Sequence, residues 1–155
     1  MLAGAGFLQY EVSAYSKPHF RCRHNLNYWS FGDYLGIGAG AHGKVSYPDG
    51  RVLRYAKTRQ PEAYMAAQAS SFTASQNLLS PADVSGEFML NALRLNDGFS
   101  REQFRARTGQ DATVLDAAVR RFQRQGLLDE GQQIKASELG RRFLDTLVAG
   151  FFPDS

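Results

Sequence analysis

His24-Asn25-Leu26-Asn27-Tyr28-Trp29-Ser30-Phe31-Gly32-Asp33-Tyr34-Leu35-Gly36-Ile37-Gly38-Ala39-Gly40-Ala41-His42-Gly43-Lys44 decides how the rest of the chain is read. The stretch holds two of the three histidines, five of the fifteen glycines and the only tryptophan, whereas the sequence beyond residue 60 reads as amphipathic helix. Within it, Gly38-Ala39-Gly40-Ala41-His42-Gly43 matches G-x-G-x-x-G. A dinucleotide fingerprint also needs a helix directly afterwards, because the helix N-terminus holds the pyrophosphate. Lys44 leads instead into two predicted strands, residues 45–47 and 51–55, around the turn signal Pro48-Asp49-Gly50. The dinucleotide reading therefore gives way to a predicted small-residue strand over 34–41, whose glycines let a backbone or a ligand come close.

Working outward, residues 9–16 alternate around Tyr10, Val12 and Tyr15 and predict a strand that Lys17-Pro18 ends. Residues 25–31 predict a short loop or a single helical turn. Past the hairpin, Gln60-Pro61-Glu62 starts a helix with proline at its first position, continued by residues 63–69. From Ser80 the punctuation is regular. Ser80-Pro81-Ala82-Asp83 caps a helix with Val84, Phe88, Met89, Ala92 and Leu93 on its apolar face. Ser100-Arg101-Glu102-Gln103 forms a capping box with Phe104 inward. Asp111 caps a third helix with Val114, Leu115, Ala118, Val119 and Phe122 inward and Gly126 as its stop. Residues 127–136 predict a small hairpin around Glu130-Gly131, and Ser137 caps a last helix carrying Leu139, Phe143, Leu147 and Phe151. That order is winged-helix-like.

Composition narrows the chemistry. Cys22 is the only cysteine, which rules out an internal disulfide and a cysteine-only iron–sulfur or zinc site within these residues. No run approaches the roughly 20 apolar residues of a membrane span, and with no secretory signal the expected location is the cytoplasm. Residues 1–60 carry eight Lys/Arg against three Asp/Glu, and residues 61–155 carry ten against twelve. The attraction for anions therefore belongs to the N-terminal part. Arg120, Arg121 and Arg124 lie on the outward face of a recognition-like helix, as in a nucleic-acid binder. Asp116, Asp129 and Glu130 beside them favour a solvated or docking face instead.

His19, Cys22 and His24 fall as H-x-x-C-x-H, which lacks the four ligands and the spacing of structural zinc. His24 alone would suffice as an axial ligand to haem iron. Tyr28, Trp29, Phe31 and Tyr34 either pack a core or border a flat apolar pocket. Asp33, between glycine and tyrosine, is expected to hydrogen-bond locally.

Several of these residues resemble a known family. Gln9-Tyr10-Glu11-Val12-Ser13-Ala14-Tyr15-Ser16-Lys17-Pro18, His24-Asn25-Leu26-Asn27-Tyr28-Trp29 and residues 31–44 resemble the HemW-type haem chaperones, with Pro48-Asp49-Gly50-Arg51 and Lys57-Thr58-Arg59 continuing the match. These are radical S-adenosylmethionine (SAM) proteins often labelled oxygen-independent coproporphyrinogen III oxidase. The resemblance implies an α+β chain, with the C-terminal strands of a partial (β/α) barrel and a β-hairpin over residues 1–65 and a winged-helix-like helical domain over 66–155. It implies haem or porphyrin binding by His24, Asn25, Asn27, Tyr28 and Trp29, with His24 as the iron ligand. Gly36, Gly38, Gly40 and His42 would border the cavity for SAM and substrate.

In the full-length parent the implied cofactors are a [4Fe–4S] cluster, SAM and haem; in this chain, haem at most. The cluster motif of such proteins, Cys-x-x-x-Cys-x-x-Cys, does not occur here, so reductive SAM cleavage is not expected from this chain alone. The expected partners are a missing N-terminal barrel half, haem, haem-recipient proteins and, through unpaired strand edges, a second copy. The expected function is haem delivery. Oxidative decarboxylation of coproporphyrinogen III is the catalytic alternative, and a winged-helix nucleic-acid binder or a docking module are the alternatives of other classes.

Overall fold

The computed structural model describes residues 1–67 and 72–152. The chain is mixed α/β, and its strands form a two-stranded and a three-stranded sheet, both antiparallel. In order the elements are β1 (Leu8–Glu11), β2 (Ala14–Ser16), α1 (Arg23–Trp29), β3 (His42–Ser46), β4 (Val52–Lys57), α2 (Pro61–Ala66), β5 (Thr73–Leu78), α3 (Pro81–Ala92), α4 (Arg101–Thr108), α5 (Asp116–Arg124), α6 (Glu138–Arg142) and α7 (Leu144–Ala149). They fall into two compact units. One joins Met1–Phe31 to Pro81–Ser155, and the other is Gly32–Ser80.

The first unit is discontinuous because the start of the chain hydrogen-bonds to the segment after α3. Val12 N–H donates to the Arg94 carbonyl and Asn96 N–H to that of Tyr10, and Glu11 bridges to Leu95. The sequence reading cut the chain once, near residue 65; these long-range bonds are why the observed grouping differs. At the centre lies Phe88, fully buried, meeting the rings of Phe31, Phe99 and Phe104 edge-on at centroid distances of 5.7, 4.9 and 5.1 Å. Each such pair contributes about 0.5–1.5 kcal/mol beyond its burial. Phe31 reaches the cluster from a left-handed backbone (φ 57), a conformation costly for a bulky side chain and offset here by its burial.

Most of the helical punctuation is as expected. Ser100 Oγ accepts from Gln103 N–H at 3.0 Å, Asp111 accepts from Thr113 N–H, and Ser137 Oγ accepts from Gly140 N–H. Asp111 opens a short 3-10 turn, Ala112–Leu115, before α5, and this rotates Val114 outward to 57% exposure although the periodicity placed it inward. The last helix breaks at Phe143 into α6 and α7, so Leu139 and Phe143 are exposed while Leu147 is buried. The hairpin expected over 127–136 is reduced to single bridges, Leu128 to Ala136 and, from the other side, Phe99 to Ile134.

Two strand readings need correction. Residues 9–16 are a hairpin rather than one strand, turning at Val12-Ser13, because Ser13 N–H and Oγ fold back onto the Glu11 carboxylate. Residues 34–41 are not a strand. Tyr34 bridges Lys44, and then Gly38 (φ 104) and Gly40 (φ 70) turn the chain out of extended geometry.

In the second unit β3 and β4 form the expected hairpin, with Ser46 opposite Val52, and β5 adds a third strand that the sequence reading passed over. Its side chains, Thr-Ala-Ser-Gln-Asn-Leu, give almost no alternation to detect. α2 begins at Pro61 as expected and is described to Ala66; the predicted continuation through residues 68–69 lies outside the described residues.

Candidate functional site

α1 is only seven residues long and has no side-chain N-cap, so its stability comes from what it packs against. The 3.6-residue period divides its motif residues. Asn25 and Trp29, one turn apart, turn toward their own unit, while His24 and Asn27 are exposed and Tyr28 is half-buried. Asn25 Nδ2 donates to the hydroxyl of the buried Tyr10 at 3.4 Å. Trp29 meets the Tyr28 ring edge-on at 4.8 Å and carries the Arg94 guanidinium 4.3 Å over its own ring.

Arg94 is held in turn by Glu11. Its Nε and Nη2 donate to Glu11 Oε1 at 2.9 and 2.6 Å, and the carboxylate, 1% exposed, accepts from Ser13 through its other oxygen. A buried carboxylate so enclosed is a rigid anchor. Hairpin, helix and Arg94 thus form one chain of contacts that fixes α1. The Trp29 Nε1 donor is buried with no hydrogen-bond partner. Sequence reasoning did not find Glu11 or Arg94: they are 83 residues apart, and nothing local announces the pair.

The other candidate residues belong to the second unit, and each is described there by itself. A Cβ on Gly36 would lie 2.2 Å from the His42 carbonyl oxygen, and one on Gly43 would lie 2.1 Å from the Tyr55 ring. Both positions require glycine for packing alone. Gly36 N–H donates to the Tyr55 hydroxyl at 2.9 Å and Gly38 N–H to the Tyr64 hydroxyl at 3.2 Å. Gly40 N–H donates to the Thr58 carbonyl. Gly38 faces open space, its neighbour Ile37 is 87% exposed, and His42 is exposed at the start of β3.

Lys44, 1% exposed, is neutralised inside this loop. Its Nζ donates to Asp33 Oδ1 at 2.7 Å and to Ser46 Oγ at 2.9 Å, and Ser46 N–H and Oγ complete the carboxylate's shell. Burial alone would raise the Asp33 carboxyl. The bonds from Lys44 and Ser46 and the lysine charge outweigh it and hold Asp33 below its ordinary 3.8. The expectation of local bonding for Asp33 holds, with a buried lysine as its partner.

The arginines of α5 are partly engaged. Arg121 donates to the Gly150 carbonyl at 2.8 Å, and Arg120 lies 3.9 Å from the Asp116 carboxylate, which also pairs with Arg101. Glu130 borders the shallow cleft beside Arg120 and Arg124. Among the described residues, no group of three or more His, Cys, Asp or Glu side chains could hold a metal ion, and no helix is long and apolar enough to cross a membrane. Cys22 is a free, exposed thiol. A cluster bound by cysteines therefore does not fit the residues present. An exposed imidazole on an anchored helix does suit haem iron as a single axial ligand.

The fold is of the class seen in Escherichia coli HemN, whose solved structure is described as that of a coproporphyrinogen III oxidase and radical SAM enzyme. The likeness covers 97% of this chain and 38% of that one with a TM-score of 0.65, and at 13% identity the fold alone is shared. Residues 79–143 match the HemN C-terminal domain family. The sequence relatives carry a narrower name. The chain is 43% identical to "Heme chaperone HemW" of Escherichia coli over 155 residues, and 35% identical to the protein of that name from Haemophilus influenzae over 158. Each alignment covers 99% of this chain and 40% of the relative, so the chain spans about two fifths of the length of these proteins. These matches bear out the resemblance to HemN- and HemW-type proteins that the motifs in residues 9–60 carry.

Proposed function

We propose that this chain forms the haem-handling C-terminal region of a HemW-like radical SAM protein, acting with a barrel half that supplies the cluster and SAM. The observation that carries the reading is α1: Asn25 and Trp29 are used to hold the helix, and His24 is left exposed upon it. Asn27 and Tyr28 border that imidazole along the helix. Were haem bound here, the exposed imidazole of His24 would be the group offered to its iron. Gly36, Gly38, Gly40 and His42 border the SAM and substrate cavity, with Gly38 giving the backbone room for close approach. Transfer of haem to a recipient protein is the resulting activity. The names of the relatives support it.

In this reading residues 1–65 are the C-terminal remnant of a barrel, and the helical part is winged-helix-like. In support, α3, α4 and α5 follow in order with bridges Phe99 to Ile134 and Leu128 to Ala136, a reduced wing. A second reading, oxidative decarboxylation of coproporphyrinogen III, is favoured by the fold shared with HemN. Haem titration followed by Soret absorbance tests the first reading. Saturable binding of one haem per chain is expected, weakened at least about tenfold by His24→Ala on the scale of losing one strong contact. Absence of binding would remove the haem reading, and unchanged binding in the variant would remove His24.

A further inference from the structure

From residue 12 to residue 32 there is no acidic side chain, while Lys17, Arg21 and Arg23 all fall within that span. The fold gathers them. A cleft of about 490 Å³ opens between the β1–β2 hairpin and α1, bordered by Lys17, His19, Arg21 and Arg23, with Leu8 and Leu26 as apolar wall. Its size lies in the ordinary range for small-molecule sites, roughly 300–1,000 Å³. His19 is held there at φ 69, a conformation a non-glycine residue seldom adopts. Arg21 is paired with Asp97. Lys17 rests 5.7 Å from the Phe7 ring, and among the described residues neither it nor Arg23 has an ion-pair partner. The cleft therefore keeps uncompensated positive charge against an apolar wall.

Simple inorganic anions would use the charge and leave the leucines idle. A flat apolar molecule carrying carboxylates uses both. We propose that this cleft seats the carboxylate edge of a tetrapyrrole, with Lys17 and Arg23 taking the carboxylates. The inference rests on the haem reading of α1, and adds to it the groups that recognise the ligand's charged side rather than its iron.

The test uses the full 155-residue chain, titrated with iron protoporphyrin IX and with its dimethyl ester, which keeps iron and ring but loses both negative charges. The chain should prefer the acid to the ester by about tenfold, the effect of two partly exposed charge contacts. Lys17→Ala/Arg23→Ala should abolish the preference by weakening the acid to the level of the ester. Arg107→Ala, which removes an exposed charge from α4, should keep it, with far-UV circular dichroism verifying the fold of each variant. Haem binding with no acid preference in the native chain, or with the full preference retained in the double variant, overturns the cleft proposal alone. Failure of the native chain to bind either molecule overturns the haem reading and the cleft with it.

Discussion

The two units handle their distinctive residues in opposite ways. In Gly32–Ser80 the glycine-rich loop is largely satisfied from within: two tyrosine hydroxyls take backbone N–H groups, two glycines make room for neighbouring atoms, and a buried lysine is neutralised by Asp33. In the unit of Met1–Phe31 and Pro81–Ser155, the motif helix is tied down by Asn25 and Trp29 and leaves His24 exposed, and the same unit holds a cleft where Lys17 and Arg23 have no ion-pair partner among the described residues. A dense motif is thus not by itself an open site. What marks the open site is polar groups left over once the fold has used what it needs.

The contrast can be broken at several points, beginning with the largest effect. Phe88→Ala removes the hub of the aromatic core and should cost the first unit about 3–5 kcal/mol, read as a lowered midpoint in denaturant titration. A loss below 1 kcal/mol would mean that the cluster does not hold that unit together. Glu11→Gln keeps the shape but removes the charge that orients Arg94, and should cost about 1.5–3 kcal/mol while weakening haem binding through a loosened α1. Haem affinity unaffected by this change would disconnect the anchor from the site.

In the second unit, Gly36→Ala sets a methyl group against the His42 carbonyl, which as backbone cannot swing aside; about 1–3 kcal/mol should be lost. Amide exchange should show the loss at Tyr34 and Lys44 and leave α1 protected. The smallest effect concerns pH. Asp33 titrates below its unfolded value of 3.8, so its contribution is fully present above that value and is lost as pH falls through the lowered folded value. Because the carboxylate is 45% exposed, the effect should be small. Protection of the Lys44 amide at acid pH should fall less steeply in Asp33→Asn than in the native chain.

What the sequence made legible was local. The Pro48-Asp49-Gly50 turn, the caps at Ser100, Asp111 and Ser137, and the helix start at Pro61 act through neighbours within a few residues, and all are found. What escaped was set at long range or by features without a pattern. β5 has no alternation, Phe31 adopts a left-handed backbone because a distant ring awaits it, and Glu11 meets Arg94 across 83 residues. The glycine run was legible as unusual, yet only the fold separates Gly36 and Gly43, fixed by packing, from Gly38, which faces open space. Of the site, the motif on α1 could be read outright, while the division of labour along it could not.

The most direct test sets the two exposed histidines of the opening stretch against each other by Soret titration of His24→Ala and His42→Ala with haem. Native affinity is expected in His42→Ala and a loss of at least about tenfold in His24→Ala. Native binding in His24→Ala together with loss in His42→Ala would contradict this, and would move the haem site from the anchored helix to the glycine-rich loop.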